Sequence, residues 1–187
     1  MKLVALRCPN CGQPLKPEDD SIVLSCHNCF IPVAIAVDGP KRMKIWFAVS
    51  KQNQEESKNW VPFWMYEGRI HIRQRETQSG WRTKDKDSDR LWGSPRKLYI
   101  PAWDLDLHSA QDIGSRLIVS QPVFNFIEQP AEYKLTTATV KPDDAKRLLE
   151  FIVLAIEARR KDWLKDLKFE IDVGKPQLWA LPANGYQ

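Results

Sequence analysis

Beyond residue 29 the sequence contains no cysteine, so a cysteine nucleophile in the larger part of the chain is excluded. No apolar stretch is long enough to cross a bilayer. The longest, Phe151-Ile152-Val153-Leu154-Ala155-Ile156, falls far short of the roughly 20 residues a spanning helix needs. No membrane insertion is expected. Met1 to Arg7 carries no apolar signal core and no cleavage site, so a cytoplasmic location is expected. There is no phosphate-binding glycine loop, no nucleophile elbow and no HExxH. Histidine is scarce, and each of the three has an ordinary reading. His27 lies between two cysteines. His71 shares a strand face with Arg69 and Arg73. His108 follows Asp104 and Asp106 at a helix start, where Asp and Ser commonly cap. The chain is therefore expected not to be an enzyme.

All four cysteines fall in two CxxC pairs, Cys8-Pro9-Asn10-Cys11 and Cys26-His27-Asn28-Cys29, with fourteen residues between the pairs. Two such turns can present four thiolates to one metal ion in a tetrahedral array, with backbone N–H groups pointing at sulfur. The alternative, two disulfides, requires an oxidising compartment. Gly12 follows the first pair, where a tight turn often needs positive φ, and glycine supplies it cheaply.

Cys8-Pro9-Asn10-Cys11-Gly12 resembles the knuckle of the zinc-ribbon family, which rubredoxin shares. The resemblance covers about the first fifth of the chain. It implies a structural four-cysteine site on Cys8, Cys11, Cys26 and Cys29. The second knuckle departs from the pattern, because Phe30 stands where a glycine is common. Phe30 is expected either to make that loop less regular or to pack onto the following domain. Rubredoxins usually have a longer gap and glycine in both knuckles, so zinc is expected, with iron the alternative. Four thiolates leave no open coordination position for Lewis-acid chemistry. Such a metal holds together a module too small to fold on its own core.

With 187 residues, the chain is expected to hold a zinc ribbon over residues 1–40 and a second domain over 41–187. In the ribbon, strands are expected at Leu3 to Arg7, Ser21 to Ser25 and Phe30 to Val37, the last interrupted at Pro32. A closing turn is expected at Asp38-Gly39-Pro40 and a linker near Lys41. Further on, strands are expected at Met43 to Ser50, Val61 to Tyr66, Arg69 to Arg73, Lys97 to Ile100, Thr136 to Val140, Phe169 to Val173 and Gln177 to Leu181. A bend is expected at Glu67-Gly68. Lys51 to Asn59 reads as a loop, and Ser79-Gly80 with Lys84 to Arg90 as a loop or hairpin tip. A short helix is expected over Leu107 to Leu117. A long one starts at Pro142-Asp143-Asp144, with Ala145, Leu149, Ile152, Ile156, Trp163 and Leu167 at helical spacing. The fold class predicted is α+β: the ribbon, then a mainly antiparallel β domain with one long packed helix.

The net charge is only +4, but residues 69–97 hold nine basic and four acidic residues. That strip reads either as a solvated hairpin with interleaved charges or as a binding surface. Eight tryptophans are present, and Trp81 and Trp92 fall inside the strip. They read as packing under the loop or as an interface hot spot. The candidate partner-binding residues are Arg69, Arg73, Arg75, Trp81, Arg82 and Trp92. The function expected is an accessory or scaffold subunit of a larger assembly, acting by protein–protein interaction. The alternatives are nucleic-acid binding through the strip and rubredoxin-like electron transfer with iron at the four cysteines.

Overall fold

The computed structural model describes residues 6–50, 57–78, 80–81, 86–160, 163–184 and 186. The architecture is α+β, with a small antiparallel sheet at the N-terminus and a larger, mostly antiparallel sheet carrying three helices.

The small sheet has the order β1-β2-β3, formed by Val23–Ser25, Pro32–Ala36 and Gly39–Arg42. Pro32 begins β2 rather than interrupting it. The expected turn at Asp38-Gly39-Pro40 shifts back to Val37-Asp38, because Ala36 pairs with Gly39 across a two-residue hairpin loop. Gly39 adopts φ 118° there. The segment expected to be a linker is therefore β3. Successive residues of β1 point to opposite faces. Leu24 joins the ribbon's own core with Cys8, Leu15, Cys26, Ile31 and Val33, while Val23 joins the core of the large sheet.

The large sheet is organised around β5, Asn59–Thr77. Its partners are β4 (Trp46–Ser50), β6 (Gly80–Trp81), β7 (Arg96–Pro101), β8 (Phe124–Ile127), β9 (Lys134–Leu135), β10 (Leu164–Val173) and β11 (Gln177–Pro182), in the path β10-β5-β11-β4-β8 with β6, β7 and β9 on β5. The registers place β10 and β11 along one edge of β5 and β9, β7 and β6 along the other. Period-two alternation is carried through the buried half. Trp60, Trp64, Tyr66 and Ile70 enter one core, and Val61, Phe63 and Met65 the other.

The bend expected at Glu67-Gly68 is absent, and β5 runs straight through it. A Cβ on Gly68 would sit 2.1 Å from the Asp172 carbonyl oxygen. The glycine is there for close approach of β10, not for a turn.

Among the described residues three helices complete the fold: α1 (Lys86–Trp92), α2 (Leu107–Ser120) and α3 (Pro142–Ala158). α1 lies where a loop was expected. α3 ends before Trp163 and Leu167, which the helical spacing had placed on it. Leu167, Phe169, Ile171 and Val173 alternate instead along β10, and Trp163 is 73% exposed. The spacing of four between Trp163 and Leu167 suits both periods, and pairing with β5 decides for the strand. β8 carries no signal that marked it in the sequence. Of the strand expected over Thr136 to Val140, only the bridge of Ala138 to Val23 forms. α3 packs Ala145, Leu149, Ile152, Val153 and Ile156 inward, and Phe151 and Leu154 remain exposed. Its first turn is anchored from β5: Trp64 Nε1 donates to Val140 O and Tyr66 Oη to Pro142 O, each at 2.7 Å. No helix among the described residues is long and apolar enough to cross a membrane.

α2 starts at Asp106, whose carboxylate accepts from Ser109 N at 2.9 Å and from Ser109 Oγ at 2.6 Å. These bonds hold its pKa below the ordinary aspartate value. A depressed folded pKa means the contribution is complete above the unfolded value and is lost as pH falls through the folded one. Asp106→Ala is expected to lower the melting temperature by a few degrees at neutral pH. The difference from the parent should vanish when melting is measured in acid below the folded pKa.

Candidate metal centre

The four thiols converge. Cys8 Sγ lies 3.6 Å from Cys29 Sγ and Cys11 Sγ 3.7 Å from Cys26 Sγ, and all four atoms fall within 4.8 Å of one another. A tetrahedral ion with metal–sulfur bonds of about 2.3 Å requires sulfur–sulfur edges of about 3.8 Å. None of the four is in a disulfide. Cys8 and Cys26 are buried and the other two are half-buried. The donor set and its geometry fit a metal ion, as a zinc knuckle requires.

The two turns are built alike. Cys8 N donates to Gln13 O at 2.8 Å and Gly12 N to Cys8 O at 2.9 Å. Cys26 N donates to Ile31 O at 2.9 Å and Phe30 N to Cys26 O at 2.8 Å. The residue after each pair is left-handed, Gly12 at φ 72° and Phe30 at φ 55°. Burial pushes the Cys8 thiol up to about 11, and the Gln13 N–H pulls the Cys11 thiol down to about 6. Amides thus point at sulfur in the first turn, as a thiolate cluster requires.

Phe30 keeps the second turn regular although it has a Cβ. Left-handed backbone costs a non-glycine residue about 1–2 kcal/mol. The surroundings offset that cost. Its carbonyl accepts from Tyr133 Oη at 2.7 Å and from Gln129 Nε2 at 3.0 Å, and its ring packs against Tyr133 with centroids 6.3 Å apart. Phe30 therefore joins the ribbon to the large core. Ala138 bonds to Val23, the first residue of β1, through its N–H and carbonyl and to Ile22 N just before it, and provides a second join. Burial, with the Cys29 thiol as a smaller influence, pushes the Tyr133 phenol above its ordinary value, so it stays a donor. Tyr133 and Gln129 had no signal in the sequence, and Ala138, inside the strand expected over Thr136 to Val140, had none for its partner, since nothing local ties a residue near 133 to a turn near 29.

Of the six residues expected at a partner surface, the four whose side chains are described, Arg69, Arg73, Arg75 and Trp92, do not share one exposed face. Arg75 and Trp92 are 2% and 5% exposed. Both bind Glu157, which is fully buried: Arg75 Nε donates to Oε2 at 3.1 Å, and Trp92 Nε1 to Oε1 at 2.8 Å. Ser88 Oγ and Arg160 Nε also reach Oε1, at 3.3 and 3.2 Å. Arg75 turns inward because of a register shift: Lys168 pairs with Gln74 but Phe169 with Ile72. That β-bulge leaves Arg73 over and reverses the alternation, so Ile70 and Ile72 point inward before it and Arg75 and Thr77 after it. Arg73 is exposed and bonds to Glu170 Oε2 on β10 at 2.6 Å, and Arg69 is exposed opposite Asp172. Acidic residues of β10 thus face the cations of β5. Trp81 contributes its backbone to β6, and Arg82 lies outside the described residues. Glu157 was legible in part, since it falls four residues after Val153 on the buried stripe of α3. Its partners were not.

Comparison of the chain with protein-family models, curated proteins and solved structures found no match in any of the three. The likeness to a zinc knuckle rests on the four cysteines and on the paired turn geometry.

Two outcomes separate the clamp from its attachment. Cys26→Ser is expected to abolish metal retention, measured by elemental analysis after gel filtration. Tyr133→Phe is expected to retain the metal but lose about 1 kcal/mol in urea unfolding, the usual worth of one hydrogen bond. Glu157→Ala, which leaves Arg75 buried without its carboxylate, is expected to cost about 3–5 kcal/mol in the same measurement.

Proposed function

We propose that this chain is a non-enzymatic zinc-ribbon protein acting as an accessory or scaffold subunit through protein–protein contact. The observation that carries the reading is the way the four-thiol site is built in. All four donors point at one centre, which leaves no position for a substrate on a tetrahedral ion. The turn that completes the site is bonded to the large core through the Phe30 carbonyl. A metal so placed orders a module and its junction and does no chemistry. Zinc suits four thiolates in tetrahedral array and adds no redox activity. The thiolate site fits a reducing compartment such as the cytoplasm.

Exposed apolar residues on the helices support a partner surface. Leu107 on α2 and Phe151 and Leu154 on α3 are 49%, 46% and 37% exposed. Gln111, one turn after Leu107, donates to the Phe151 carbonyl at 3.2 Å and brings these faces together. Apolar side chains gathered on two adjoining helices mark an interaction surface more often than isolated ones do.

Purification from the native source under mild conditions tests the reading. One zinc per chain, a colourless protein and a second polypeptide in fixed proportion are the expected result. Iron with a red colour would favour electron transfer instead. A monomer with no specific companion would remove the accessory role.

A further inference from the structure

Among the described residues, the second face of the large sheet is unevenly covered. Over β5 and β7 it lies beneath α2, whose Ile113 and Leu117 pack with Phe63 and Tyr99. Over β11, β4 and β8 it carries aromatic rings on three neighbouring strands. The registers set Trp179 beside Trp46 and Phe126 beside Ala48. Trp46 and Ala48 share a face of β4 by alternation, so Trp179, Trp46 and Phe126 form one row. The Phe126 ring lies 4.8 Å from Trp179 and 5.3 Å from Trp46. Trp179 is the buried floor at 1% exposure, Trp46 is half-buried, and Phe126 is 52% exposed on the outermost strand.

Two cations sit on this row. Lys44 Nζ stands 3.6 Å from the Trp46 ring centroid and Lys97 Nζ 5.2 Å from that of Trp179. Lys97 also lines a shallow cleft of about 450 Å³ with Phe124 and Val123, where Glu67 is the one carboxylate.

We propose that this face binds single-stranded nucleic acid, with bases stacking on Phe126 and Trp46 and phosphates meeting Lys44 and Lys97. Stacking rings with ammonium groups beside them match a polymer that alternates flat bases and anionic phosphates. Glu67 lies opposite Lys97 in the sheet register, but among the described residues no carboxylate pairs with Lys44, so a purely apolar protein surface would complement the rings and leave that ammonium without a counter-charge. A duplex keeps its bases stacked inside and offers no ring to Phe126. The site is separate from the Arg69 to Arg75 part of the basic strip, whose cations face β10 or Glu157. It does not depend on the accessory-subunit reading.

Fluorescence anisotropy of labelled oligothymidylate and oligouridylate with the full-length, metal-loaded protein tests it. Single strands are expected to bind at low ionic strength and matched duplex much more weakly. Two lysine–phosphate contacts predict a log–log salt slope of about −1.4, and Lys44→Ala should reduce its size by about 0.7. Phe126→Ala is expected to weaken binding about tenfold, the usual loss for one stacked base. Phe126 also packs on Trp179 and Trp46, so that variant is expected to melt a few degrees lower than the parent while remaining folded at the assay temperature. Arg73→Ala should bind like the parent. No binding at low salt overturns the proposal. So does binding that Phe126→Ala and Lys44→Ala leave unchanged, or that duplex matches. Phe126-dependent retention of a polypeptide without any oligonucleotide binding would place a protein ligand on this face and overturn it too.

Discussion

Strand β5 has hydrogen-bonded partners on both edges and apolar residues on both faces over its first half, and this double constraint positions every other part of the molecule. Seven consecutive residues, Trp60 to Tyr66, are buried. A strand sealed on both faces cannot shift by one residue without exchanging the contents of two cores. Trp64 and Tyr66 fix the start of α3, and Trp60 shares its core with Phe47 and Tyr133. Tyr133 in turn holds the ribbon. The metal module is thus set against the same strand that seats the long helix.

The join between ribbon and sheet has an energetic logic. A small core of Leu15, Leu24, Ile31 and Val33 around two cysteines buries little surface, and a metal on the four thiols would supply further cohesion. Glycine at position 30 would relax the backbone and remove the ring that reaches Tyr133. The strain at Phe30 is therefore tolerated for the contact it makes, and the two donors on its carbonyl hold the turn in place. Metal geometry and domain placement are coupled at one residue.

The charged and aromatic middle of the chain spans several environments among the described residues. Past the bulge at Arg73, β5 turns a guanidinium inward to Glu157, where a carboxylate without bulk solvent needs several donors at once. Before the bulge Arg69 faces Asp172, and at the bulge Arg73 reaches Glu170 across the sheet. At the far end Lys97 rests by Trp179. Among the described residues, what reads as one basic strip along the chain includes a buried ion pair, a cross-strand ladder and a cation on an aromatic face. A summed charge over a segment carries no information about which face each residue takes.

Local chemistry was legible wherever its cause is local. The spacing of the cysteines, Gly12 in its turn, a helix start near Asp106, the start of α3 at Pro142 and the alternation of Phe169 to Val173 in β10 all depend on neighbours a few residues away. Those features, with the α+β class, follow from the sequence alone. Phe30 was legible as an anomaly, because a non-glycine residue in a knuckle needs a reason, but Tyr133 as that reason lies a hundred residues on. Straight passage through Gly68, the end of α3 before Trp163, the strand at β8 and the inward turn of Arg75 were decided only in the tertiary structure. Each depends on which strand lies alongside, and strand pairing over long sequence separations leaves no periodic trace in the chain that obeys it.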